Sequence, residues 1–131
     1  MGLHLFRQDF PKAVLHESKV LVTVPAGEKR GVYLIDSQSH SVSLFIDMKH
    51  KPRGPSNILI DRSNQDILYL LYNGVPQDDV KERERLLSKY DLKDIEPHIS
   101  MWSIKENKQL KQFQLKNAYV QNQNDNRGTL R

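Results

Sequence analysis

The sequence predicts an all-β fold of two four-stranded antiparallel meanders, and three observations carry that prediction. Apolar residues come in short blocks of roughly five to eight, the blocks are rich in β-branched and aromatic side chains, and turn residues separate them at short intervals. A chain of 131 residues has room for one domain of ordinary size. Hydrophobic residues make up 37%, below the globular average, and charged residues 27%, yet isoleucine, leucine, valine and phenylalanine together still far exceed a disordered chain's supply and allow a packed core. We place a single β domain over residues 1–120. The stretch 121–131, Gln-Asn-Gln-Asn-Asp-Asn-Arg-Gly-Thr-Leu-Arg, is expected to be a disordered polar tail.

The elements follow in order. Lys19–Val24 and Val32–Asp36 read as strands on either side of a Pro25-Ala-Gly27 turn, and Ser37–His40 turns the chain into Ser41–Asp47. A breaker cluster, Lys49-His-Lys-Pro-Arg-Gly-Pro55, comes next. Asn57–Asp61 and Asp66–Tyr72 are apolar almost throughout, as strands buried on both faces of a sheet are. Asn73-Gly74 and Pro76 end that run. From Asp78 the chain becomes densely charged, and its first half is expected to be helical, capped by Asp78 or Asp79, with Val80, Leu87 and Tyr90 on one face. Leu86–Leu92 reads equally well as a strand. Ile99–Ile104 and Gln109–Leu115 complete the pattern as a hairpin across Lys105–Lys108.

The chain also resembles itself. Pro11–Glu17 matches Pro55–Asp61 at a spacing of 44, the strands at Val20 and Ile67 follow at 47, and Leu34–Phe45 lies against Trp102–Phe113 at 68. The expected units are about 11–48 and 55–117, and the second is interrupted by a charged insert over 75–97. Trp102 is expected to be the main structural anchor of that second unit.

Pro55-Ser-Asn-Ile-Leu-Ile-Asp61 through Asp66-Ile-Leu-Tyr-Leu70 resembles β-propeller blades of the NHL type. There a proline precedes an apolar strand that ends in aspartate, and a polar turn leads to a second apolar strand. The run from Trp102 to Phe113 is similar to the third and fourth strands of a WD-repeat blade. Ser103 stands where the aspartate of the Trp-Asp pair would be, no Gly-His dipeptide opens either unit, and the insert lies within a blade. The resemblance implies a non-enzymatic protein–protein interaction or scaffold module, part of a larger propeller or an assembly with other copies of itself. A fragment of a propeller enzyme is the other reading it leaves. The alternative fold is a self-contained β-sandwich or barrel.

Catalytic chemistry finds little footing. There is no cysteine for a thiolate nucleophile, a disulfide or a thiolate metal site. The five histidines show no i,i+4 pair and sit where strand ends or turns are expected, as surface imidazoles do. Asp61–Asp66 has the alternating oxygens of a calcium loop but lacks its glycine and distal glutamate. Neither a nucleophile elbow nor a glycine-rich phosphate cradle is present, so we expect no catalytic residue, no metal and no cofactor. Lys49, Lys51 and Arg53 form the sharpest basic cluster and are the candidates for nucleic-acid contact, an alternative function. Leu86, Leu87 and Tyr90 in the insert are the candidates for binding a protein partner, on the expectation that they are exposed. No apolar run approaches 18 residues, and Met1–Pro11 lacks the apolar stretch of an export signal. No membrane contact is expected, and the default compartment is the cytoplasm.

Overall fold

Alternation dictates the strands, and the computed structural model, which describes residues 12–115, sets them in two sheets. β1 (Ala13–His16), β2 (Lys19–Val24), β3 (Gly31–Asp36) and β4 (Ser41–Asp47) pair in sequence order, each antiparallel to the last. β5 (Asn57–Ile60), β6 (Ile67–Tyr72), β7 (His98–Ser103) and β8 (Lys108–Gln114) do the same. No ladder joins the sheets among the described residues, so the chain does not curl into one barrel. From the edge strand β4 the chain returns along residues 48–56 and enters the second sheet at β5. There β5 lies against β1 and, less closely, β2.

One face of each sheet makes the core between them. Leu21, Val32 and Ile46 meet Ile58, Leu68, Leu70 and Tyr72, with Met48 from the returning loop. The spacing of two in Leu68, Leu70 and Tyr72 is what a pleated strand requires to send all three to one side. Each sheet carries a bulge where its third and fourth strands pair, beside Val32/Tyr33 and Met101/Trp102. Gly31 is required beside the first of these: a Cβ there would lie 2.2 Å from the carbonyl oxygen of Ile46.

Asp66 ties two turns of the second sheet together. Its carboxylate accepts hydrogen bonds from the Lys105 N–H (2.6 Å) and the Ser103 hydroxyl (2.8 Å), while its backbone carbonyl accepts from the Ile104 N–H (2.8 Å). The first two bonds favour the ionised form and hold this carboxyl below its ordinary value. Trp102 is half-buried on the core. Its Nε1–H donates to Asn107 Oδ1 (3.1 Å), and the Asn107 amide donates to the Phe45 carbonyl of the other sheet (3.2 Å).

The insert leaves after Tyr72 and returns at His98, which are paired as the last rung between β6 and β7. It holds α1 (Val80–Leu87) and the single turn α2 (Leu92–Ile95). Asp79 caps α1, accepting from the Glu82 N–H. The face expected to be apolar is corrected: Val80 and Leu87 point to solvent. Leu86 turns inward instead, against Val75 and Ile95, with Tyr90 beside them. Arg83 sets this rotation by donating to the Val75 carbonyl (3.2 Å) and pairing with Glu96 (2.7 Å). The strand alternative for Leu86–Leu92 is also corrected, since the second half turns into α2. The expected tail at 121–131 lies outside the described residues.

Leu68→Ala is expected to cost about 3 kcal/mol in urea unfolding, as a fully buried core leucine does. Trp102→Ala is expected to cost about 2 kcal/mol, less than a fully buried tryptophan, because part of its ring faces water. A loss below 1 kcal/mol at Trp102 would remove it as an anchor.

Candidate interaction surfaces

The strands place a second set of apolar side chains on the faces turned away from the core. On the first sheet the ladder lines up Ala13, Val22, Tyr33 and Leu44 in one row, and Leu15, Val20, Ile35 and Val42 in the next. Leu15 is 71% and Val42 66% exposed. The outer face of the second sheet lines up Leu59, Tyr69, Met101 and Lys111, then Asn57, Leu71, Ile99 and Phe113. Leu59 is 51% exposed, and the Lys111 ammonium lies 5.0 Å from the centre of the Phe113 ring. Apolar side chains thus line up in rows on both outer faces rather than being scattered singly. The alternation that put one residue set in the core put the other on the outer face.

The basic loop and the insert, separate in the sequence, meet in space. Arg30 shapes the loop by donating to the carbonyls of Gly27 (2.7 Å), Lys49 (2.7 Å) and Lys51 (2.9 Å). Lys51 then pairs with Asp94 of α2 at 3.1 Å. Arg53 is exposed and lines, with Asp79, Asp94 and Tyr72, a cleft of about 270 Å³ between loop and insert. Lys49 is exposed near Asp47 (3.9 Å). The three cations are therefore not one free cluster: an acidic partner neutralises Lys51, and carboxylates flank the other two. Of the expected partner-binding residues, Leu87 is 46% exposed, Tyr90 is half-buried, and the expected exposure of Leu86 is corrected, since the side chain is in the insert's own core.

Beneath this cleft, Tyr72 and His98 stack with ring centres 4.2 Å apart. The surface position expected for His98 is thus corrected; it is buried, and its Nδ1 donates to the Glu96 carbonyl at 2.8 Å. The Tyr72 hydroxyl donates to the Met48 sulfur, and burial pushes its ionisation upward. Burial also lowers the affinity of His98 for a second proton, against a smaller opposing pull from the Glu96 carbonyl and Asp94. No signal in a single sequence marks this stack, because His98 and Tyr72 are brought together only by the β6–β7 register. Among the described residues, no group of acidic and histidine side chains converges as a metal site.

Two outcomes are expected. Leu86→Ala should raise amide exchange across residues 80–95 while leaving the core strands protected, because the insert has its own small core. Exchange rising equally in β2 and β6 would show one cooperative unit instead. At His98 the folded form binds a proton less readily than the unfolded chain. Stability is therefore full above pH ~6.5 and falls as pH drops through the window between that value and the lower folded pKa. His98→Phe should flatten that slope in denaturation at stepped pH.

Comparison with protein-family models, with curated proteins and with solved structures gives no match to this chain.

Proposed function

We propose that this chain is a non-enzymatic protein–protein interaction and scaffold module built from two propeller-type blades. The observation that carries the reading is the pair of apolar outer sheet faces, with Leu15 and Val42 on one and Leu59 and Phe113 on the other. Faces of this kind are expected to be covered by another β surface in the working state.

Topology and register support the blade part. Each meander begins on the strand nearest the other sheet and ends on its far edge, as successive blades do. His40 and Asn107 take the same left-handed conformation (φ 58° and 52°) at the end of four-residue turns. They are 67 residues apart, one fewer than the spacing of 68 taken from sequence similarity. Followed along the ladders from that pair, the row Leu15, Val20, Ile35, Val42 falls on Ile60, Leu68, Trp102, Gln109. The first row faces away from the second sheet, and the second row faces the first sheet. Equivalent positions thus point the same way round, as in units related by rotation. The spacings of 44, 47 and 68 would set them face to face, because a slip of one residue inverts every side chain.

The double substitution Leu15→Lys with Val42→Lys tests the reading. At the lowest chain concentration that Trp102 fluorescence can follow, it is expected to change the unfolding free energy by less than about 1 kcal/mol in total, as exposed positions do. It should also weaken binding of a hydrophobic dye. A loss of 2 kcal/mol or more would mean that the outer face is packed within the chain, and the reading fails.

A further inference from the structure

We infer that the partner for each outer face is the opposite outer face of a second copy of this chain, so that copies associate head to tail. The inference rests on the interaction-module reading and names its partner.

The argument is continuity with the interface already inside the molecule. The face of the second sheet packed on the first is formed by Ile60, Leu68, Leu70, Tyr72 and Trp102. By the register above, its counterpart on the first sheet is Leu15, Val20, Val22, Val24 and Ile35, which lies on the uncovered side. Conversely, the face of the first sheet packed on the second includes Val14, Leu21, Val32 and Leu34. Its counterpart on the second sheet is Leu59, Tyr69, Ile99 and Met101, again on the uncovered side. Among the described residues there are therefore one completed sheet-to-sheet interface and the two unpaired halves of a second. Setting the second sheet of one copy on the first sheet of the next repeats the contact already made.

Such a contact is heterologous. It closes into a ring when the rotation per copy divides a full turn, and otherwise runs on as a filament. Closed propellers have roughly 4–8 blades, so copies that each contribute the two described sheets would close a ring at about two to four.

The full chain, size-exclusion light scattering and two double variants at exposed positions test this. Leu15→Lys with Val42→Lys spoils the first face, and Leu59→Lys with Phe113→Lys spoils the second. Near-ultraviolet circular dichroism at Trp102 checks that both variants stay folded. Wild type is expected as a discrete oligomer or a filament. Each variant alone should have the mass of one chain. Mixed one to one, they should form a pair and stop there, since each keeps the face that the other lost.

A variant that keeps the wild-type mass by itself would show a face pairing with its own kind and would overturn the head-to-tail arrangement. A monomeric wild type that binds a hydrophobic dye, and loses it in both variants, would overturn self-association while leaving the interaction reading with a different partner. A monomer that binds no dye would overturn both.

Discussion

The alternation of side chains along the eight described strands, held in phase by hydrogen-bond registers, is the constraint on which this structure depends. It divides the apolar residues into two sets at every strand. One set meets between the sheets, where Leu21, Val32, Leu68 and Leu70 are excluded from water. The other set is left on the outside with the same chemistry. Most small β domains avoid this by making outward residues polar. Here Val20, Val22, Tyr33 and Ile35 follow no such rule, and the apolar outer faces are a direct result.

The insert obeys a different economy. It does not share the main core but assembles a small one from Val75, Leu86 and Ile95, and two ion pairs fasten it. Arg83–Glu96 closes it on itself, and Lys51–Asp94 joins it to the loop that carries the chain from one sheet to the next. That second pair lies near the Tyr72–His98 stack, so the loop, the insert and the last rung of β6–β7 form one polar corner under partial cover. Partly buried pairs of this kind hold geometry more than they add stability.

Strand existence and the meander order could be read from the sequence because β-branched blocks and turn residues are local signals. The helix cap at Asp79 was local too. On the blade reading the phase of the two units is not legible in the sequence, since both faces are apolar and a one-residue slip costs nothing in similarity. The turn conformations at His40 and Asn107 are what favour the phase that reading uses. Leu86 was misplaced for a related reason: Leu86 and Leu87 are identical letters, and the choice between them rests on Arg83 reaching Val75 and Glu96. His98 and Lys51 took their environments from long-range contacts that no short window contains. The outer faces were written in the sequence throughout, but as half of an alternation whose two halves look alike.

The ends of the insert lie side by side. The Val75 N–H donates to the Ile95 carbonyl at 3.0 Å, and the backbone of Gly74 lies so near Pro97 that a Cβ there would come within 2.6 Å of its nitrogen. Because closing a loop becomes only slowly more expensive with its length, an excursion pinned at its base places little strain on the hairpin that bears it. The stretch between Gly74 and Pro97 is in effect an exchangeable cassette. A change in its length between those pinned ends is therefore expected to leave the pairing of β6 with β7 intact, which sets this corner of the molecule apart from the rest of the fold.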